Sequence, residues 1–304
     1  MGATDDTRTA TTFSSSSTRS ILLAACAHVG LSSDGAELLR LGENALYRLA
    51  SAPVVVRIAR TMDYWDDAAK EVAVSHWLKE HDFPAARACD VSQPVAVDGH
   101  PVTFWRYIEG RTGTRADVAT LGRLLRRLHA TPAPSTFQLP AEDVLGRVRP
   151  RIEVAPVPAS DKRFLLERWR ELSQAVLELD FPMAPAPTHG DPHIKNIMVS
   201  NGSTVLIDFE RFAWGQPEWD LSLTATEYRT AGWWTDAEYA TFASAYGYDI
   251  TTWSGFDVLR AVHEIKMTTW LMQNIHESPE IEDEYRVRMR TIRTGQADRP
   301  WRPF

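Results

Sequence analysis

Residues 188–210 read Thr188-His189-Gly190-Asp191-Pro192-His193-Ile194-Lys195-Asn196-Ile197-Met198-Val199-Ser200-Asn201-Gly202-Ser203-Thr204-Val205-Leu206-Ile207-Asp208-Phe209-Glu210. Two apolar, partly β-branched runs meet at Asn201-Gly202, a dipeptide suited to a type I′ turn because both central positions need positive φ. With that turn, Ser200 faces Ser203, Met198 faces Val205 and Asn196 faces Ile207. Asn196 and Asp208 are therefore expected at the open end of a hairpin, with Asp191 on the loop entering it. Three side chains able to handle a metal ion or a proton converge on one short stretch.

Phosphoryl transfer asks for that set. Its loose transition state leaves the protein little covalent work, so a base is placed near the acceptor hydroxyl and magnesium is held against the phosphates. Mg²⁺ takes hard oxygen ligands and keeps several waters, so one amide oxygen, one carboxylate and the nucleotide suffice. Asp191 is the expected base, and Asn196 and Asp208 are the expected metal ligands. The spacing His-x-Asp-x-x-x-x-Asn, then Asp-Phe on the next strand, matches the catalytic and metal loops of protein kinases. Gly-Asp-x-His also suits part of a two-metal phosphoesterase, but the downstream Asn-His pair of such a site is missing.

The block His189-Gly190-Asp191…Asn196…Ile207-Asp208-Phe209-Glu210, then Trp219-Asp220-Leu221, resembles the aminoglycoside phosphotransferase family of small-molecule kinases. It differs from protein kinases in Gly190 where they carry Arg and in Glu210 where they carry Gly. The resemblance implies an α+β, two-lobed, protein-kinase-like fold with a small β-rich amino-terminal lobe and a larger, mainly helical carboxyl-terminal lobe. It implies Mg²⁺ as cofactor, ATP or GTP as donor, and a hydroxyl of a small molecule as acceptor. An aminoglycoside or related antibiotic comes first among acceptors, then a sugar or amino alcohol. Asp220 would brace the catalytic loop through backbone N–H groups, and His189 would orient it. His193 and Glu264 would line the acceptor site, where Glu227 and Asp257 also offer charge to an amine, although each carboxylate equally suits a solvated surface. A catalytically silent kinase fold that binds a ligand or partner is the reading from another class.

Upstream, three short β-like runs (37–41, 45–49 and 54–59), a helix from Trp65 to about Lys79, and strands near Val95 and at 102–108 give the order of a kinase-like amino-terminal lobe. Gly42 and Asn44 lie on the loop between the first two strands, where the family places the phosphates. Alternation in Val54-Val55-Val56-Arg57-Ile58-Ala59 sets Arg57 opposite the apolar face. Arg57 takes the place of a phosphate-binding Lys, and a guanidinium can fork two phosphate oxygens; Glu71 is its expected ion-pair partner. Trp105 and Tyr107 fall in Phe104-Trp105-Arg106-Tyr107-Ile108-Glu109-Gly110, the segment whose backbone N–H and C=O groups meet the base edge in the family.

The remaining composition sets bounds. The 304 residues suffice for two lobes, 44% of them are hydrophobic, and the net charge of −7 argues against nucleic acid as the main partner. Two cysteines, Cys26 and Cys89, lack motif spacing and fit a reducing compartment. No apolar run approaches the ~20 residues that span a bilayer, so a cytoplasmic location is expected; oligomeric state is not encoded legibly. Residues 1–18, rich in Ser and Thr, are expected to form a disordered tail, with a helix from about Thr18 to Val29. Residues 19–108 would form the nucleotide-binding lobe and 109–304 the catalytic and acceptor-binding lobe. In the latter, Leu121, Leu124, Leu125 and Leu128 recur at helical spacing, and further helices are expected at 161–178, 235–246, 256–275 and 279–294.

Overall fold

The computed structural model describes residues 13–200 and 202–304. The expected tail through residue 12 and the turn residue Asn201 lie outside the described residues. The chain divides into two compact units, one running to Gly110 and including Asp208–Glu210, the other comprising Arg111–Ile207 and Arg211–Phe304.

In the smaller unit the first helix, α1 (Ser15–His28), starts inside the stretch expected to be a tail. Ser14 accepts from the Ser17 N–H while the Ser17 hydroxyl accepts from the Ser14 N–H, a reciprocal cap that offsets the weak helix propensity of a serine run. Strands β1 (Glu37–Leu41), β2 (Asn44–Arg48) and β3 (Val54–Ala59) follow, then helix α2 (Trp65–Glu80) and strands β4 (Val95–Val97) and β5 (His100–Arg106). The five strands form an antiparallel sheet in the order β1-β2-β3-β5-β4. Period-two alternation sends Ala45, Tyr47, Val56, Ile58, Val102 and Phe104 to one face, where Ile21, Leu22, Ala25 and Cys26 of α1 close the core. The buried Tyr47 hydroxyl bonds Thr18 at 2.8 Å. Arg57 and Thr103 point to the other face, towards α2.

The larger unit contains β6 (Arg111–Thr112), α3 (Val118–His129), α4 (Val148–Val154), α5 (Ala159–Leu177), β7 (Ala186–Thr188), β8 (Ile197–Ser200), β9 (Ser203–Leu206) and β10 (Ala213–Gly215). Helices α6 (Pro217–Thr226), α7 (Asp236–Tyr246), α8 (Phe256–Leu271) and α9 (Pro279–Thr294) complete it. Thr235 and Glu238 cap α7 reciprocally, and α8 passes into a 3-10 turn at Met272 rather than continuing to residue 275. The core joins Leu165 and Leu172 of α5, Trp219 of α6, and Leu259, Val262 and Ile265 of α8 to Tyr285 and Met289 of α9. All ten residues of α6 are buried; Asp220, Ser222 and Thr226 find hydrogen-bond partners within the protein, while Thr224 Oγ1 and one Glu218 oxygen have none among the described residues. Among the described residues no helix is long and apolar enough to cross a membrane.

Helix α3 packs on α7 at Gly122, where an added Cβ would lie 2.7 Å from the Phe242 carbonyl oxygen and 3.2 Å from the Ala245 Cβ. Helix backbones have little room to separate in a packed core. Gly122→Val is therefore expected to destabilise the protein by about 1–3 kcal/mol through overpacking, read as a lowered denaturant midpoint at unchanged slope.

Candidate active site

The hairpin has the register expected from its sequence: Ser200 pairs with Ser203, Val199 with Thr204, Met198 with Val205 and Ile197 with Leu206. The Ile207 N–H then bonds the Asn196 carbonyl at 2.9 Å. Asp208 follows directly along the chain. It is exposed and has φ 66°, a left-handed conformation for a residue with a Cβ. Such a backbone stores about 1–3 kcal/mol and is characteristic of sites where a side chain must be aimed.

The loop before the hairpin is fixed from below by Asp220, fully buried in the first turn of α6. Its two oxygens accept from the His189 N–H at 2.7 Å and the Gly190 N–H at 2.8 Å. His129, at the end of α3, adds a third bond to Asp220 at 3.0 Å and meets the Tyr246 hydroxyl through its other nitrogen at 2.8 Å. The Trp219 Nε1–H donates to the Gly190 carbonyl at 3.2 Å. Gly190 has φ 79°, and a Cβ there would sit 2.4 Å from the Arg211 carbonyl oxygen, so no other residue fits. His189 bonds the Ile207 carbonyl through Nε2 at 2.9 Å, which places the ring proton on Nε2 and leaves Nδ1 to accept from the Asp191 N–H at 3.3 Å. The Asp191 carbonyl in turn accepts from the His193 N–H and from Asn196 Nδ2, each at 2.8 Å.

Two oxygen groups stand out from this bonded loop. Among the described residues neither Asn196 Oδ1 nor the Asp208 carboxylate has a hydrogen bond or an ion pair. By donor type each is a hard oxygen of the kind that Mg²⁺ accepts.

Lys266 and Glu142 are charged groups of the larger unit within electrostatic reach of one another, and Lys266 also of Asp191. Lys266 lies 4.3 Å over the Trp219 ring, and His263 stacks on that ring at 3.9 Å. Burial, with Arg211 and Arg151 nearby, pushes the Lys266 ammonium down to about 8, against the pull of Asp191 and Glu142. Burial pushes Glu142, which accepts from the Thr188 hydroxyl at 3.0 Å, up to about 8. Neither Lys266, in mid-helix, nor Glu142, in a proline-flanked segment, carried a signal in the sequence. His129 carried none beyond the end of a leucine repeat.

The carboxylates expected to meet an acceptor amine are engaged elsewhere. Glu264 is buried, accepts from the Thr230 hydroxyl at 2.7 Å and pairs with Arg260 at 3.6 Å. Glu227 is 1% exposed, lies 3.0 Å from His193 Nε2 and accepts from Trp234 Nε1 at 2.8 Å. Asp257 pairs with Arg260 at 3.0 Å. Glu227, in the turn after α6, and Glu264, in α8, are both buried rather than on a solvated surface. His193 remains part-exposed.

In the smaller unit Arg57 bonds Glu71 at 2.5 Å and lies 3.8 Å from Glu210. With its amide oxygen turned to the guanidinium, Asn44 accepts from Arg57 at 3.1 and 3.2 Å. Burial works against the Arg57 charge but is outweighed by Glu71, Asp208 and Glu210. Burial also pushes Glu71 up to about 7, with Arg57 holding it down and Asp208 and Glu210 adding to the rise. At 2.5 Å from a guanidinium, ionised Glu71 is the form that fits. Gly42 closes the β1–β2 loop by donating to the Asn44 carbonyl at 3.0 Å. Trp105 packs edge-on to Phe209, and Arg48 covers the Tyr107 ring at 4.2 Å. The amides of Arg106 and Tyr107 are already bonded to the Arg87 and Pro53 carbonyls, each at 2.8 Å. Those two N–H groups are thus taken up within the smaller unit, because its hydrogen bonding runs past the end of β5.

A small antiparallel sheet unit and a larger helical unit, with these loops in this order, define the protein-kinase-like fold of small-molecule kinases. The chain belongs to the phosphotransferase enzyme family, whose model matches residues 39–262. Among solved structures it is similar to amicoumacin kinase hAmiN in complex with AMP-PNP, Ca²⁺ and Ami, with a TM-score of 0.77, 16% identity and coverage of 94% of this chain and 97% of that one. The microcompartment-associated aminopropanol kinase gives 0.69 at 18% identity, covering 90% and 94%. Choline kinase LicA from Streptococcus pneumoniae gives 0.65 at 17%, covering 91% and 97%. Comparison with curated proteins gives no match.

Asp220→Ala would strand two buried backbone donors, each worth about 1–3 kcal/mol when left unbonded. Expected outcomes are a fall in unfolding free energy on that scale and faster amide exchange at His189 and Gly190, measured by hydrogen–deuterium exchange.

Proposed function

We propose that the protein is a Mg²⁺-dependent phosphotransferase that moves the γ-phosphoryl group of ATP or GTP to a hydroxyl of a small molecule. The observation that carries this reading is the pair of unbonded oxygens, Asn196 Oδ1 and the Asp208 carboxylate, at the end of a loop otherwise held by hydrogen bonds. Chain connectivity puts Asp208 one residue past the Ile207–Asn196 bond. Mg²⁺ bound there would neutralise phosphate charge and orient the γ-phosphoryl group.

The chain's own residues supply the rest. Asp191 accepts the acceptor hydroxyl's proton as that oxygen bonds to the γ-phosphorus and the bond to the β–γ bridging oxygen breaks. Lys266 lies within electrostatic reach of Asp191 and sets a positive charge beside it. Arg57, held by Glu71 and Asn44, presents a fixed positive charge to the phosphates from β3. Asp220 and His189 keep the loop in one geometry, so little reorganisation is needed at the moment of transfer.

For the acceptor, an antibiotic related to the aminoglycosides comes first, then a sugar or amino alcohol. Support comes from the family and from similarly folded proteins named for amicoumacin, spectinomycin, aminopropanol and choline. The cytoplasm, with its nucleotide and Mg²⁺, is the compartment this chemistry suits.

Asp191→Ala is expected to lower turnover ~10²–10⁴-fold while Mg²⁺–AMP-PNP binding, followed by isothermal titration calorimetry, stays near wild type. Full turnover in that variant would remove Asp191 as the base. Asp208→Ala should instead weaken Mg²⁺–AMP-PNP binding itself. A panel of hydroxylated antibiotics, sugars and amino alcohols, assayed for nucleoside-diphosphate release, should yield at least one acceptor well above the rate with water.

A further inference from the structure

Glu227 opens a single turn of π-helix, Glu227–Ala231, closed by Gly232 at φ 68°. A π-turn is a rare distortion retained mostly where it aims a side chain. Here it turns the Glu227 carboxylate into the protein, where one oxygen lies 3.0 Å from His193 Nε2 and the other accepts from Trp234 Nε1 at 2.8 Å. The Trp233 N–H bonds back to the Glu227 carbonyl at 2.9 Å, and the Trp233 ring meets the His193 ring edge-on at 6.1 Å. Among the described residues His193 is the one cationic or chargeable side chain within ion-pair distance of Glu227. A carboxylate desolvated against so little charge is expensive and calls for a reason.

That reason lies on the other side of the imidazole. His193 Nδ1 accepts from the Lys195 N–H at 3.2 Å. The ring thus has one consistent tautomer, with the proton on Nε2 facing Glu227 and the lone pair on Nδ1 capping the 3-10 turn Ile194–Asn196. Nδ1 is thus committed to the turn, while Nε2 meets Glu227 as a close charge contact rather than an aligned hydrogen bond. The turn it caps ends at Asn196, whose N–H bonds the His193 carbonyl at 2.7 Å and whose Nδ2 bonds the Asp191 carbonyl at 2.8 Å. Any rotation of the cap would swing Asn196 Oδ1.

We infer that Glu227 is a positioning residue: through His193 it locks the 3-10 turn that aims Asn196 Oδ1 at the metal, and neither Glu227 nor His193 recognises the acceptor. This rests on the phosphotransferase reading for the identity of the metal, but not for the order of the turn. Groups that orient a metal ligand typically change metal affinity 10–100-fold when removed.

The test uses the full chain with His193→Ala, His193→Asn and Glu227→Gln. An Asn at that position can still accept from the Lys195 N–H, as Asn does at helix starts, but does not carry an imidazole. Mg²⁺-dependent AMP-PNP binding by calorimetry should weaken about tenfold or more in His193→Ala and weaken in Glu227→Gln, and His193→Asn should recover most of the loss. The acceptor KM should not move. Amide exchange at Lys195 and Asn196, measured without ligand, should quicken in His193→Ala and Glu227→Gln and slow again in His193→Asn. Unchanged exchange at those amides overturns the inference, as does a loss confined to the acceptor KM, or a lowered melting temperature with metal affinity intact. Failure of wild type to bind Mg²⁺–AMP-PNP, with the exchange pattern as described, would instead count against the phosphotransferase reading and leave the positioning of Asn196 standing.

Discussion

The buried carboxylate of Asp220 is the interaction on which the loop entering the β8–β9 hairpin depends. Removing a carboxylate from water is costly unless hydrogen bonds replace its hydration. Here two backbone N–H groups and the His129 imidazole do so, and the first turn of α6 adds a favourable dipole. The direction of dependence matters. Because Asp220 cannot leave without an uncompensated charge in the core, His189 and Gly190 cannot leave it, and Asp191 inherits a fixed backbone.

Rigid support on one side makes the unsatisfied groups on the other informative. The His189 and Gly190 amides at the loop base are bonded, while Asn196 Oδ1 and the Asp208 carboxylate are left open and Asp208 is held at φ 66°. A protein that only needed a hairpin would relax that backbone with Gly or Asn. Keeping Asp there spends stability on a left-handed backbone.

The charges further out divide by unit. In the smaller unit Arg57 is bracketed by Glu71, Glu210 and Asn44, so its guanidinium has little rotational freedom. A Lys there would make a point contact and keep its freedom; Arg trades that for a fixed fork. In the larger unit the acids once open to an amine-binding role are spent internally: Glu264 on Thr230 and Arg260, Glu227 on His193 and Trp234.

Local chemistry was legible in the sequence. The Asn-Gly signal with alternating apolar flanks fixed the β8–β9 register to the residue, the strand Val54–Ala59 showed its two faces, and the spacing of Asp191, Asn196 and Asp208 followed from the hairpin. These depend on neighbours along the chain, whose geometry period and turn type determine. The start of α1 inside a Ser/Thr-rich run was hidden because its stability comes from a reciprocal cap and from packing on a sheet more than fifteen residues away. His129 and Lys266 were invisible for a related reason: one ends a leucine-patterned helix and the other sits within an apolar one, and only the packing of α3, α6 and α8 brings them to the loop. For Glu227 and Glu264 the sequence left an acceptor-facing and a solvated position both open, because burial is a property of how helices pack, which no local pattern reports. The sequence by itself decided which chemistry the loop can hold, since that is set by residue type and spacing; tertiary structure decided which charges stay free to use it, since that depends on what each side chain meets from elsewhere in the chain.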